Sequence, residues 1–474
     1  MTPLRTLIVL LLGHLLAVPA YSQVTAITNV RIVDVDSGVV SEPQTLIITD
    51  DRITAIEPEA SVDIPTGATM IDADGKFAIP GLWDMHVHLD DPEMWPHHLT
   101  RDRKEAHLQL LVANGVTGVR DMGGGFDQIL KWKHQISAGE LLGPSIILAG
   151  PIVDGEPALW LGSAAVGDPD TGREVVRSLV NRGADFIKAY SMLEPEVFLA
   201  IVDEAQKLGV QVAGHLPIRV SPVDASNAGM NSIEHIIGLT YACSSTASSL
   251  RQSMDNVSLN QGYPWGIYLG SDERVRSTFD VANCSSMIET FAANDTWQVP
   301  TLRTLWGLSS RALDDHPELN RYVHASHIKN WRENRTPDPQ LAAVRTQALD
   351  QNMQLTKAMH EAGVGIMAGT DMAALPYTYP GFSLHNELEL FVEAGLSPLE
   401  ALQTATINPA RFLRQEDSRG RVRTGLIADI VLLDENPIDD IANTQKISVV
   451  VTGGMVLLRP QLDEILNDVA DTMR

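Results

Sequence analysis

The feature that most constrains this chain is an alternation of two patterns along its middle. Eight apolar runs rich in strand formers follow one another between residues 77 and 371: FAIPGLWDMHVH, GVTGVRDM, PSIILAGP, ADFIKAYS, VQVAGHL, NSIEHII, WQVPTL and VGIMAGTD. Most are separated by amphipathic helical patterns, such as Pro195 to Leu208 and Leu341 to Ala362. Strands joined through helices run parallel, and unbroken apolar runs suit strands covered on both faces. Eight such units predict an α/β chain folded as a (β/α)8 TIM barrel, and 474 residues leave room for a second, smaller domain.

Outside that middle the pattern changes. AITNVRIVDVDSG, QTLIITDDRITAIE and ATMIDADGK are short alternating segments with Asp, Gly and Asn at the turns, and the same pattern returns in ADIVLLDENP and KISVVVTGGMVLL. Both ends predict antiparallel β-structure. The stretch from Gly238 to Asn294 is too long for one strand-to-helix loop, which predicts an insertion or lid at about 239–294, with Ser253 to Gly270 as loop.

Sixty acidic residues against 35 basic ones give a formal charge of −25, which argues against nucleic acid or an anionic membrane as partner. Residues 1–22 read as a secretory signal: Arg5 supplies the positive charge, Leu7 to Val18 the apolar core, and Ala20 and Ser22 the small residues before a cut at Gln23. The apolar run is shorter than the roughly 18–20 residues of a membrane span. An exported protein is therefore expected, periplasmic or secreted and free of membrane once the signal is removed. The two cysteines, Cys243 and Cys284, could pair in an oxidising compartment or remain two free buried thiols. No CxxC or Cys/His cluster exists, so a thiolate zinc site is excluded.

In a parallel barrel the chemistry collects at the C-terminal ends of the strands. There the first run carries His86 and His88, one residue apart and so on one face, the fourth Lys188, the fifth His215, the sixth His235 and the eighth Asp371. Taken singly each has a structural explanation, a helix cap for Asp371 or a hydrogen-bonded rim histidine. Six inward polar groups on five strands are costly unless paired or metal-bound, and together they point to a metal site. Zinc suits imidazole and carboxylate ligands. Tyr190, two residues past Lys188 and on its face, could donate to a developing oxyanion or pack at the rim. Arg120 and Arg303 end the second and seventh runs and could grip a substrate carboxylate, or pair structurally, Arg120 with Asp121 or another acid. His385 could support the site or cap a helix. Asp84 reads as a floor residue, Asp90 and Asp91 as loop, and His97, His98, His107 and His134 as surface or helix residues.

With these residues in place the chain resembles the metal-dependent amidohydrolase superfamily, in the branch of imidazolonepropionase-like proteins and secreted Xaa-Pro-type dipeptidases. IPGLWDMHVH matches its strand-one motif, AGTD its strand-eight motif, and VEAGLSPLEALQTATINPARFL followed by GLIADIVLLDENP its C-terminal pattern. The resemblance covers nearly the whole chain after residue 22. It implies a small β-sandwich domain built from both chain ends, 23–77 with 420–460, beside a hydrolase barrel at 78–419. It also implies two divalent ions, zinc first: His86 and His88 with Asp371 for one, His215 and His235 for the other. Lys188 would bridge them as an N-carboxylated lysine, because a bare ammonium between two dications is repelled whereas a carbamate is an anion with two oxygens. The implied reaction is cleavage of a small-molecule amide, a dipeptide or an N-acyl amino acid, by a metal-activated hydroxide, with Asp371 carrying a proton from water to the leaving nitrogen. A homo-oligomer is implied only by analogy with other barrels.

Other readings stay open beside this one. A mononuclear cyclic-amide hydrolase of the imidazolonepropionase kind would use the same scaffold. Deaminases of the superfamily carry a glutamate three residues after the strand-five histidine, whereas His215 is followed by Leu216, Pro217 and Ile218. Lys188 favours two metals, although IKAYSM departs from the IKIMATGG-like sequence of typical dipeptidase members. N-acylated aromatic compounds form a further amide class. A non-catalytic binding protein is disfavoured by the intact set of costly inward polar groups.

Overall fold

The apolar runs of the middle become parallel strands whose hydrogen bonds return to their starting point. In the computed structural model, which describes residues 23–58, 61–90, 100–256, 264–309, 311, 316–334, 338–372 and 377–474, Leu82–Val87 pairs with Val116–Asp121 and that strand with Ser145–Leu148. The Asp185 N–H donates to the Leu148 carbonyl at 2.8 Å, leading into Phe186–Ala189. From there Gln211–Gly214, Ser232–Glu234 and Trp297–Val299 pair in order, all parallel. The eighth run is held by single bridges, Gln298 with Ile366 and Val87 with Met372, both parallel, so the last run meets the first. The expected signal segment 1–22, Asp91, His97 and His98 lie outside the described residues.

Helices fill the connections. Pro195–Leu208 is a helix over the expected residues, with a proline in its first turn and Gly209 just past its end, the residues that start and stop helices. The long helix Pro339–Glu361 covers the expected Leu341 to Ala362 within two residues at the start and one at the end. Between helices and strands lies one apolar core that includes Leu108, Leu111, Trp132, Phe198, Leu349 and Leu388, all buried.

Four features depart from the sequence reading. FAIPGLWDMHVH divides at Gly81: Phe77–Pro80 pairs with Ile430–Leu433, while Leu82–Val87 starts the ring. The terminal sheet, ordered Met455–Leu458, Ile447–Thr452, Ile430–Leu433, Phe77–Pro80, Val24–Ile32, Gln44–Thr49 and Arg52–Pro58, is mixed rather than antiparallel. Val24–Ile32 runs parallel to both Thr69–Asp72 and Phe77–Pro80, because those two strands are one returning run broken at Asp74 and Gly75 and not a tight hairpin. Both chain ends share its buried face, Ile27, Leu46 and Ile53 packing with Ile430, Leu432 and Val451. Two short parallel strands, Val153–Asp154 and Ala164–Ala165, enter between the third and fourth runs.

The fourth departure is in the insertion. Ser253 to Gly270, expected as loop, contains the end of the helix Ala247–Asp255 and the turn Trp265–Tyr268. Tyr241, Leu250, Met254, Ile267 and Tyr268 form its own small core against Met192 and Ile218. Cys243 and Cys284 are joined by a disulfide across a separation of 41 residues, so neither thiol is free. A C-terminal helix, Arg459–Thr472, packs Val469 and Ala470 on Ala106 and Leu110 of the helix Arg101–Ala113. Among the described residues no helix is long and apolar enough to cross a membrane.

Candidate metal centre

The ring brings His86, His88, Lys188, His215, His235 and Asp371 to one end, all of them from the C-terminal ends of its runs. Lys188 is 1% exposed, and its charge acts on His86, His215, His235 and Asp371. The His86 and His235 rings lie tilted to one another with centroids 4.4 Å apart, and His215 meets His235 edge-on at 5.0 Å. Among the described residues one group of ligand atoms takes one histidine from each expected pair, His86 and His235, together with Asp371, all within 4.8 Å of one another. Gly214 allows the approach of the fourth and fifth strands: a Cβ there would lie 2.1 Å from the Ala189 carbonyl and 2.9 Å from Lys188 Cδ. His235, Thr301 and Asp371 all have positive φ, at 62°, 46° and 55°. Such backbone costs about 1–3 kcal/mol per residue and persists where the surroundings enforce it, commonly at functional sites.

Each histidine is oriented through Nδ1. His86 Nδ1 lies 2.8 Å from Glu234 Oε2, and His88 Nδ1 lies 2.8 Å from the Gly123 carbonyl. A carboxylate and a carbonyl only accept, so both histidines carry a proton on Nδ1, and the neutral His86 ring presents a lone pair at Nε2. His215 reaches the same state through a relay. Tyr268 donates its hydroxyl to the Leu216 carbonyl, so it accepts from Ser191, at 3.0 Å, and Ser191 accepts from His215 Nδ1, also at 3.0 Å. His235 Nδ1 meets the Thr301 hydroxyl at 2.7 Å. Burial, with the Lys188 charge next, holds His86 and His215 well below the usual imidazole range, and burial brings His235 to about 4, so these rings are neutral.

This arrangement leaves an unbalanced point. Nε2 of His86 and Nε2 of His88 each lie 3.4 Å from the same oxygen, Asp371 Oδ1. His86 Nε2 is buried and without a hydrogen bond among the described residues. The lone pair of neutral His86 facing a carboxylate oxygen is repelled by it unless a cation stands between them, and a shell of Nδ1 partners is what metal-binding histidines carry. The donor set, imidazole nitrogen with carboxylate oxygen and no thiolate, fits a borderline divalent ion.

The remaining expected residues are distributed unevenly. Tyr190 joins the cluster: its ring stacks on His215 at 4.0 Å, and Lys188 Nζ lies 5.8 Å from its centroid. Arg120 points into the floor and away from any substrate, donating to the Met85 carbonyl, Ser232 Oγ and Glu234 Oε1. Its acid partner is Glu234, while Asp121 is taken by the backbone N–H groups of Leu89 and Gly123. His385 is buried in the helix Phe382–Ala394 between Thr444 and the Asn114 carbonyl, a clamp between elements and not a site residue. Arg303 is 1% exposed; Nη2 donates to the Tyr377 carbonyl, while Nε and Nη1 have no hydrogen-bond partner among the described residues. Asp84 is a floor residue, taking the N–H groups of His86 and Thr370 and the Thr370 hydroxyl, and burial raises its pKa to about 7. His107 is buried in its helix, 2% exposed, and so is not a surface residue, and His134 sits near a helix end.

Glu234, Ser191, Thr301 and Tyr268 were not among the expected residues. Glu234 had a signal, since a charged residue inside the apolar run NSIEHII needs a buried partner. Tyr268 had none, because the insertion that delivers it lies between the sixth and seventh runs.

A family model described as the amidohydrolase family matches residues 77–457. An ochratoxinase of Aspergillus niger is 25% identical over 451 residues, spanning 84% of this chain and 78% of that protein. Among solved structures, a Xaa-Pro dipeptidase with bound methionine superposes with a TM-score of 0.67 at 22% identity, covering 92% of this chain and 100% of its own. A bottromycin amidohydrolase superposes with a TM-score of 0.72 at 21% identity, covering 95% and 90%. The ring of parallel strands, the histidines at its ends and a family match over most of the chain lead to one statement: this chain belongs to the amidohydrolase family, hydrolases of carbon–nitrogen bonds.

Proposed function

We propose that the chain is an exported, metal-dependent amidohydrolase that cleaves the amide bond of an N-acyl amino acid or a dipeptide. Its ring of strands is read as a (β/α)8 barrel at 78–419 with a lid at about 239–294, and its terminal sheet as a β-sandwich domain from 23–77 and 420–460. The observation that carries the reading is the convergence of His86 Nε2, a buried lone pair, and His88 Nε2 on Asp371 Oδ1, each at 3.4 Å, a point that suits a cation. The dipeptidase likeness supports the substrate class. The Cys243–Cys284 disulfide supports export, since such bonds persist in oxidising compartments.

His86, His88 and Asp371 would hold one divalent ion, His215 and His235 a second, and N-carboxylated Lys188 both, with zinc as the best-suited metal. Burial brings the Lys188 amine down to about 8, so the neutral amine that adds carbon dioxide is accessible near neutral pH. The ions supply Lewis acidity, lowering the pKa of water and polarising a carbonyl. Asp371 Oδ1 takes the proton of water and returns it to the leaving nitrogen. Burial pushes this carboxyl up, but the groups around it, the Lys188 charge among them, hold it below the ordinary carboxylate value, so it is ionised and ready to accept. The Tyr190 hydroxyl donates to the carbonyl oxygen as that oxygen gains charge. Arg303, with two buried nitrogens that have no hydrogen-bond partner among the described residues, is the group for a substrate carboxylate.

The test is metal analysis of the purified protein together with a screen of dipeptides and N-acyl amino acids. About two divalent ions per chain are expected, with amide hydrolysis that is lost on chelation and restored by zinc. Full activity with a single ion would sink the binuclear arrangement. No hydrolysis of any amide after reconstitution would sink the reading itself.

A further inference from the structure

We infer that Trp160 is a positioning residue: its indole N–H holds the Tyr190 hydroxyl so that the phenolic proton is directed to the substrate carbonyl oxygen. The inference rests on the amide-hydrolase reading above, in which Tyr190 is the donor to that oxygen.

The argument starts from a short excursion between the third and fourth runs. Val153–Asp154 and Ala164–Ala165 pair in parallel, and residues 155–163 leave the sheet between them. This excursion is fastened to the end of the strand that carries Lys188 and Tyr190. Val153 pairs with Ala189. Asp154 is wholly buried; one carboxylate oxygen accepts the Met192 N–H at 2.7 Å and the other the Leu159 N–H at 3.0 Å. Gly155 packs so closely on the same strand end that a Cβ there would lie 2.1 Å from the Met192 carbonyl oxygen. One carboxylate thus fixes the residue before Trp160 and the residue two past Tyr190, setting the indole against the phenol. Trp160 Nε1 donates to the Tyr190 hydroxyl.

The chemistry of the pair gives that contact a direction. An indole nitrogen only donates, so the phenolic oxygen accepts from it and the phenolic proton is kept for a different acceptor. A hydroxyl that accepts a hydrogen bond is also polarised into a better donor. The Tyr190 ring lies against His215, 4.0 Å between centroids and 23° from parallel, which places the phenol at the wall of the ligand cluster. A packing wall would need the indole's surface but not its N–H.

The experiment is a double-mutant cycle on an N-acyl amino acid or dipeptide that the wild type hydrolyses. Trp160→Phe is expected to lower kcat by about 10-fold with little change in KM, and Tyr190→Phe by more, about 100-fold. In the Tyr190→Phe background, Trp160→Phe should then cost nothing further, because its effect passes through the phenol. Trp160→His, which keeps an N–H, should recover part of the loss, with melting temperature and metal content at wild-type values throughout. Equal losses on both backgrounds, or a rise in KM alone, would overturn the positioning role. A wild type that hydrolyses no amide would overturn the reading beneath it and this inference with it.

Discussion

The two sides of the candidate centre are held by different chemistry. On the side of the first and eighth runs the supports are ionic: Arg120 donates to Glu234, Glu234 accepts from His86, and all three are buried with no more than 1% exposure. On the side of the fourth and fifth runs the supports are neutral, His215 to Ser191 to Tyr268 to the Leu216 carbonyl. The ionic chain is drawn wholly from ring strands, whereas the neutral relay borrows Tyr268 from the insertion. A buried ion chain tolerates no missing member, because each loss strands a charge in low dielectric. A neutral link is worth about 1 kcal/mol, so that side can be retuned cheaply. On the proposed reading, the ionic side holds its candidate ligand rigidly, and the neutral side, with Tyr190 and Trp160 beside it, holds His215 in a way that can be adjusted.

The largest expected effect falls on the point where the ionic side meets the chemistry. Asp371→Asn keeps the shape but removes the charge that faces His86 and His88 and the proton carrier, and should lower kcat/KM by about 1,000-fold or more. Steady-state kinetics beside metal analysis checks it, and a loss under 10-fold would take Asp371 out of the reaction. Next is Glu234→Ala, which leaves the Arg120 guanidinium buried and unpaired and should cost about 3–5 kcal/mol of stability. A melting temperature near that of the wild type would show that the ionic chain is not what holds this side together.

The candidate ligands of both sides were legible in the sequence, and their supports were not. The ligands sit at strand ends inside apolar runs, where period-two alternation fixes the face: His86 with His88, Lys188 with Tyr190, then His215, and Asp371 in AGTD. Glu234 could have been found by the same rule, and so could the C-terminal helix, whose Leu462, Ile465, Leu466, Val469 and Ala470 repeat at helical spacing. Arg120 was visible but ambiguous, since a strand-end arginine facing a substrate and one reaching across the floor to Glu234 have the same local sequence. Tyr268, Ser191 and Trp160 were not legible: their roles depend on how an insertion and an excursion fold back, which is tertiary information that no local pattern encodes.

Two intermediate effects sharpen the contrast. Replacing both cysteines by serine should cost about 2–4 kcal/mol by freeing a 41-residue separation in the unfolded chain. Because the insertion carries Tyr268, kcat should fall a few-fold as well, with the ligands of the ionic side unaffected; calorimetry and metal content separate the two effects. Glu387 tests the element behind Thr301, since its two oxygens accept the N–H groups of Leu302 and Arg303. Burial raises its pKa from 4.5 to about 8, so the folded state binds this proton more tightly than the unfolded one. Its stabilising contribution is then complete below about pH 4.5 and is lost as pH rises through 8. Glu387→Gln should therefore flatten the fall in unfolding free energy between pH 5 and 8, by about 3–4 kcal/mol, and an unchanged profile would contradict the raised value.

The smallest effect expected is on the neutral relay. Tyr268→Phe removes the hydroxyl that accepts from Ser191 and donates to the Leu216 carbonyl, but Ser191 keeps His215 as its partner. The cost should be about 1 kcal/mol in stability and a few-fold in the retention of metal on the His215 side, read by chelator competition. Ser191→Ala should cost more than Tyr268→Phe, because it leaves His215 Nδ1 without an acceptor and frees the ring to adopt the other tautomer. If Tyr268→Phe instead proved as damaging as Glu234→Ala, the hydroxyl relay would be as rigid a support as the ion chain. The insertion would then be an integral wall of the centre and not an adjustable one, and substrate variation would have to be accommodated elsewhere around the mouth.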